Sequence, residues 1–231
     1  AKRNWAHASA HKFSTTLIPN MDDIRPLVDT RGSDSMSLDN MLEVLLAGGL
    51  DLFRAMRILI PPAWQNVHSM DPDLRAFYEY YSMHSESWDG PAGIVLTDGR
   101  HAGCCMDRNG LRPARWVMTR DRHITLASEV GVWDYRPEDV VAKGRLRPGE
   151  MLVVDTATGE LLQSADIDAR LKTGAPYKKW LQRNVIDLLG DRHAAECDGI
   201  GRLDSAALDV LQKMYNVTLE ERDELLRVLA A

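Results

Sequence analysis

The sequence predicts an α+β protein, because helical patterns come first, a run of antiparallel hairpins follows, and helical patterns then return. Apolar residues recur at helical spacing between residues 38 and 81 and again from residue 177. Short strands joined by tight turns occupy residues 93–163. The glycine-rich phosphate loops that accompany many βαβ units do not occur in the sequence. Segregated helices and hairpins therefore favour α+β over an alternating α/β fold.

Composition excludes several classes of protein. The chain has 231 residues, of which 45% are hydrophobic, so one or two domains with a sizeable core are expected. A net charge of −6 without a Lys/Arg block does not favour nucleic-acid binding. No apolar run reaches the roughly 18 residues of a membrane span. Three cysteines, two of them adjacent, cannot form a disulfide framework, so we expect a cytoplasmic protein.

Three helices are predicted after an irregular segment of about 30 residues. The first has apolar residues on one face from Leu38 to Leu46, with Ser37 as the expected N-cap and Gly48-Gly49 as the stop. The second covers residues 50–60 and ends at two prolines. The third begins at Asp71-Pro72, which combine a cap with a first-turn proline.

Three hairpins are then predicted, because Asp-Gly and similar turns separate short strands. Their strands are residues 93–96 and 101–106, 116–119 and 124–127, and 151–155 and 160–163. A helix is expected over residues 177–189. Residues 190–204 are typical of a linker, and two further helices are expected at 205–215 and 219–229.

A small polar turn, Arg31-Gly32-Ser33-Asp34-Ser35, precedes the first helix. A carboxylate here could hold the ammonium group of an amino-acid ligand through a charge-assisted hydrogen bond. The same residues could instead only cap the helix, and the pattern by itself favours capping.

The cysteines Cys104 and Cys105 are adjacent on a predicted strand, where successive side chains point to opposite faces. At most one of them can face a cleft, and buried structural thiols are the favoured interpretation. Cys197 stands alone, and no second Cys/His pair lies at metal-ligand spacing. The sequence therefore predicts no internal catalytic residue and no metal site.

A second turn, residues 107–113, contains Asn109-Gly110 between Asp107, Arg108 and Arg112. These side chains could bind a ligand or brace one another, and an Arg–carboxylate brace of a tight turn is favoured.

Several long strings resemble the large subunit of bacterial glutamate synthase. They include Gly32-Ser33-Asp34-Ser35, Ile60-Pro61-Pro62-Ala63-Trp64-Gln65-Asn66, Trp88-Asp89-Gly90-Pro91-Ala92-Gly93, Asp107-Arg108-Asn109-Gly110-Leu111-Arg112-Pro113-Ala114-Arg115 and Ala127-Ser128-Glu129-Val130-Gly131. That family converts glutamine and 2-oxoglutarate into two glutamates. The resemblance covers nearly the whole chain.

The resemblance implies a place for the chain in the C-terminal part of a class II glutamine amidotransferase domain. This domain has the N-terminal-nucleophile fold, an αββα sandwich, which we expect to be incomplete here. Residues 1–189 would belong to it, and residues 190–231 would lead to the family's central domain. Asp34 matches the aspartate that holds the α-amino group of glutamine, while Ser33 and the second turn would support the pocket.

The resemblance also implies what these residues lack. The family's nucleophile is a cysteine at the mature N-terminus, whereas position 1 is Ala, and the oxyanion Asn-Gly would lie upstream. The missing initiator Met is interpreted as a cut edge, and the isolated chain is expected to be inactive. FMN, an iron–sulfur cluster and a small reductase subunit belong to the whole enzyme. Alternatives are a non-catalytic binding or assembly module, and a split subunit completed by a partner chain that carries the cysteine.

Overall fold

The computed structural model describes residues 13–186 and 204–215. The chain divides into two compact units, Ala1–Asn184 and Val185–Ala231. The α-helices described in the first unit are α1 (Asp34–Ala47), α2 (Leu52–Leu59), α3 (Pro72–Ser82), α4 (Ser164–Thr173) and α5 (Tyr177–Asn184), and two short 3-10 helices cover Met21–Ile24 and Pro137–Asp139. Its described strands are β1 (Gly93–Thr97), β2 (His101–Met106), β3 (Arg115–Thr119), β4 (Ile124–Ala127), β5 (Val140–Arg145), β6 (Met151–Asp155) and β7 (Glu160–Gln163). The described part of the second unit contains helix α6 (Ser205–Met214), which Asp204 caps.

Helix α1 begins four residues earlier than the apolar periodicity predicts. Its N-cap is Ser33, whose Oγ accepts the backbone N–H of Met36 at 3.1 Å. The predicted cap, Ser37, was wrong, because Ser37 is buried in the first turn and its Oγ donates to the carbonyl of Ser33 at 3.2 Å. The first turn is polar, so hydrophobic spacing cannot detect it.

The next two predicted helices are present, with α2 beginning at Leu52, two residues later than predicted, and α3 beginning at Pro72 as predicted. Asp51 caps α2 by accepting the N–H of Arg54 at 2.9 Å. Asp71 caps α3 by accepting the N–H groups of Asp73 and Leu74, and Pro72 occupies the first turn. Capping side chains satisfy backbone donors that have no partner inside the helix.

Two antiparallel sheets follow the helices. The four-stranded sheet has the order β1-β2-β6-β7, and the three-stranded sheet has the order β4-β3-β5. The three predicted hairpins are confirmed. Strand β5 was not predicted, since its middle contains Lys143 and Gly144, and glycine weakens a strand pattern. Packing explains this glycine, because a Cβ there would come within 2.8 Å of the Trp116 ring.

The two sheets pack face to face, and helices cover the other face of the four-stranded sheet. On β2, Cys105 joins the core that includes helix α2, while its neighbour Cys104 joins Leu152 and Trp116 in a second core between the sheets. Because successive side chains of β2 point to opposite faces of the sheet, this one strand contributes side chains to both cores. The α+β class that the sequence predicts is confirmed.

The helix predicted over residues 177–189 is shorter than expected, because α5 ends at Asn184 and residues 185 and 186 are not helical. Most of the predicted linker and the helix at 219–229 lie outside the described residues. The domain boundary at residues 189 and 190 stays a prediction. Within the described residues, none of the helices has the length and apolar character needed to cross a membrane.

Candidate functional site

The first turn of helix α1 presents the carboxylate of Asp34. Ser33 is the cap of this helix, and Asp34 is its first residue. The Asp34 side chain is half-buried, and its Oδ1 accepts the N–H of Ser35 at 2.9 Å. The positive end of the helix dipole stabilises a carboxylate at this position. The capping role that the sequence favours for this turn therefore belongs to Ser33, and Asp34 is the first residue of the helix.

A cavity of about 750 Å³ lies beside this turn. Asp34 and Ser35 line it together with Arg112, and its apolar wall includes Trp88 and Ile94. Ligand pockets in proteins commonly have this size and this combination of an apolar wall with a few polar groups. The fold thus brings an acidic and a basic side chain to one cavity, although 78 positions separate Asp34 from Arg112 in the sequence.

The turn before Arg112 is held by Asp107, a buried carboxylate. Its Oδ1 accepts the N–H of Ala92 at 3.1 Å, and its Oδ2 accepts the N–H of Asn109 at 2.8 Å. Its backbone carbonyl accepts the N–H groups of Gly110 and Gly149. Asp107 therefore ties three segments of the backbone together at one edge of the cavity.

The other predicted residues of this turn do not line the cavity. Arg108 donates from Nη2 to Asp89 Oδ1 at 3.2 Å, in an exposed ion pair. Gly110 has a φ of 60°, and a Cβ at this position would lie 2.5 Å from Cγ of Pro148. Among the residues predicted for the site, Asp34 and Arg112 come together at the cavity, whereas Ser33, Asp107, Arg108, Asn109 and Gly110 lie outside its lining.

The two adjacent thiols are buried, as the sequence predicts. Burial raises the pKa of Cys104 to about 11 and, as the largest influence, raises the pKa of Cys105 to about 12. Thiols with such values are protonated near neutral pH and are poor nucleophiles. Cys104 lines the cavity of Asp34 but does not provide a reactive thiolate there.

Sequence reasoning missed Trp88 and Ser128 as cavity residues, although both belong to strings that resemble the family. The signal that could have identified them is their side-chain type, because a large aromatic ring and a hydroxyl each stand beside a tight turn in those strings. In the described part of the chain, no group of three or more His, Cys, Asp or Glu side chains could hold a metal ion.

Comparison with known proteins agrees with the sequence resemblance. Residues 1–180 match the family described as class II glutamine amidotransferases. The chain is 38% identical over 194 residues to the glutamate synthase [NADPH] large chain of Bacillus subtilis, covering 84% of this chain and 13% of that protein. It is 44% identical over 166 residues to the chloroplastic ferredoxin-dependent glutamate synthase of Oryza sativa, covering 71% of this chain and 10% of that protein.

A third relative is the glutamate synthase [NADH] of Schizosaccharomyces pombe, 38% identical over 188 residues, or 80% of this chain and 9% of that protein. The chain spans about a tenth of the length of these curated relatives. The resemblance to glutamate synthases is confirmed. Because the family description matches most of the sequence, the chain belongs to the class II glutamine amidotransferases.

Proposed function

We propose that this chain contributes part of the glutamine-binding site of a glutamate synthase. The observation that carries the proposal is the position of Asp34, which lies at the first turn of α1 on the wall of the 750 Å³ cavity. Membership of the amidotransferase family and the printed names of the relatives support glutamine as the ligand.

Asp34 holds the α-ammonium group of glutamine in this proposal. A carboxylate accepts hydrogen bonds from an ammonium, and charge-assisted bonds of this kind contribute about 1.5–3 kcal/mol. Ser33 positions Asp34, because its cap fixes where the helix begins. Asp107 supports another part of the cavity wall, because its hydrogen bonds hold the turn that precedes the lining residues Arg112, Pro113 and Ala114.

Amide hydrolysis requires groups that these residues do not provide. The nucleophile of the proposed mechanism is a cysteine that carries a free α-amino group, whereas Cys104, Cys105 and Cys197 are all internal. The remainder of a large subunit would supply that cysteine and the oxyanion donors. It would also bind FMN and an iron–sulfur cluster, and a small reductase subunit would be its partner.

The test replaces the carboxylate without changing its size. In the complete enzyme that contains this chain, we expect Asp34→Asn to raise the KM for glutamine by about tenfold or more, because one charge-assisted bond is lost. Steady-state glutaminase kinetics measure the effect. The matched control is Asp39→Asn, an exposed position on the same helix that does not line the cavity. An unchanged KM in Asp34→Asn, or an equal rise in both variants, would contradict the assignment.

A further inference from the structure

A basic surface lies where strand β3 begins and strand β5 ends. Two arginines come from the start of β3 and the residues before it, and two come from the end of β5 and the residues after it. All four line one cavity of about 310 Å³, and all four are exposed. We call them the arginine cluster, which consists of Arg112, Arg115, Arg145 and Arg147.

Strand pairing brings the arginine cluster together. In the antiparallel register of β3 and β5, Arg115 stands directly opposite Arg145. The backbone N–H of Leu146 donates to the carbonyl of Ala114 at 2.9 Å, so the two segments stay paired beyond the strand ends. Like charges that stand directly opposite each other destabilise a sheet. The fold therefore holds two cationic side chains at neighbouring positions despite their repulsion.

No carboxylate compensates this charge within the described part of the chain. The described residues that line the cavity include no Asp or Glu, and none of the four guanidinium groups forms an ion pair or a hydrogen bond with the protein there. Glu150 is close in sequence, but its carboxylate accepts the backbone N–H of Arg147 at 2.8 Å. Since the whole chain has a net charge of −6, composition does not explain this local excess of positive charge.

The proposed glutamine site accounts for only one member of the arginine cluster. Arg112 also lines the cavity of Asp34, whereas the other three arginines do not. Glutamine carries a single carboxylate, which one arginine can bind through two hydrogen bonds. Three exposed arginines are therefore left without a role in that site.

We propose that the arginine cluster binds a small polyanion that carries two or more phosphoryl or carboxylate groups. Guanidinium groups bind both kinds of oxyanion through paired, charge-assisted hydrogen bonds, and arginine stays protonated in proteins. Because the four residues are exposed, a ligand reaches them directly from solvent. A bound polyanion also offsets the repulsion between Arg115 and Arg145.

The cavity restricts the ligand to small polyanions. Its volume of about 310 Å³ is at the lower end of the range for small-molecule sites. A monovalent anion neutralises only one of the four charges, and salt screens a single exposed ion pair. Gly110 and Pro148, which also line the cavity, pack closely enough that a Cβ on Gly110 would collide with the proline. This contact fixes the two arginine-bearing segments relative to each other before a ligand binds.

The test titrates the full chain by calorimetry at physiological ionic strength. Pyrophosphate is the phosphoryl probe, citrate is the carboxylate probe, and acetate is the monovalent control. We expect saturable binding of pyrophosphate or citrate and none of acetate, and the tighter of the two polyanions identifies the class of ligand. The variant Arg145→Gln loses one charge-assisted pair and should bind that polyanion about tenfold more weakly. Without ligand its Tm should equal or exceed that of the unmodified chain, because repulsion with Arg115 is removed.

The control variant is Arg120→Gln, which removes the same charge from an exposed residue directly after β3 that does not line this cavity. It should bind the polyanion as the unmodified chain does. A lack of saturable binding by both polyanions would overturn the proposal. An equal loss of affinity in the two variants would overturn it as well, because overall charge rather than the arginine cluster would then attract the anion. Acetate binding of equal strength would contradict the requirement for a polyanion.

Discussion

Gly110 shows how one residue without a side chain holds the wall of the proposed glutamine site. Its positive φ is a conformation that other residues adopt at a cost, and Pro148 stands where a Cβ would project. The turn of residues 107–110 can therefore lie directly against Pro148. Arg112 follows this turn, so its place at the cavity depends on that close packing.

The variant Gly110→Ala is expected to destabilise the chain more than Gly99→Ala does. Both glycines have positive φ, so both substitutions share a backbone cost of about 1 kcal/mol. A Cβ at Gly110 would also collide with Pro148, and overpacking of this kind adds about 1–3 kcal/mol to the loss of stability. A Cβ at Gly99 would meet nothing within 4 Å. Denaturant unfolding measures the difference, and equal losses would show that Pro148 moves aside freely.

At the scale of single residues, the sequence predicts the turn of residues 107–110 but not its contact with Pro148. Asn109-Gly110 is a local turn signal that needs no knowledge of the fold. Strands β3, β4 and β5 lie between Gly110 and Pro148 in the sequence, so no local pattern predicts their contact. The same limit applies to Arg57 of α2, which is buried and donates to the carbonyl of Gly149, a residue far away in the sequence.

Among the elements, the start of helix α1 decides where the site carboxylate lies. The cap at Ser33 sets the first turn, and Asp34 follows it directly. A helix that began at Leu38, as the apolar periodicity indicates, would leave Asp34 in the preceding loop.

The variant Ser33→Ala should lower the free energy of unfolding by about 1 kcal/mol, because the N–H of Met36 loses its side-chain acceptor. Ser33→Thr keeps a hydroxyl at this position and should be close to the unmodified chain. Chemical denaturation of the two variants provides the comparison. If Ser33→Thr were destabilised as much as Ser33→Ala, the cap would not be the cause.

Elements with a strong local pattern were predicted well, and weakly patterned ones were not. Helix α3 has a cap, a first-turn proline and an apolar face, so several signals agree. Helix α4 was missed, since Ile167 and Leu171 are its only residues with buried side chains among those described. Strand β5 was missed for a similar reason, because its pairing with β3 rather than its own composition defines it.

The layers of the whole molecule place the thiols of Cys104 and Cys105 where they cannot attack a substrate. Cys104 and Cys105 lie in the two cores of the sandwich, and their raised pKa values follow from that burial. The layers, rather than the local sequence around the cysteines, determine this property.

We therefore expect the 231-residue chain alone to release no ammonia from glutamine above the blank. An enzyme-coupled ammonia assay near neutral pH, with a known glutaminase as positive control, measures this. Turnover that disappears in Cys104→Ser or Cys105→Ser would contradict the expectation, since it would identify an internal nucleophile. A complete enzyme that carries the proposed N-terminal cysteine should be active in the same assay.

Adjacent positions on β2 give this protein a property that is useful for following its unfolding. Cys105 contacts the core that contains the helices, and Cys104 contacts the core between the sheets. A thiol reagent can reach Cys105, which is fully buried, only when the helical layer detaches, whereas Cys104 also borders the cavity of Asp34. The two neighbouring residues thus act as separate natural reporters, and mass spectrometry of the labelled peptide would distinguish opening of the helical layer from access through the cavity.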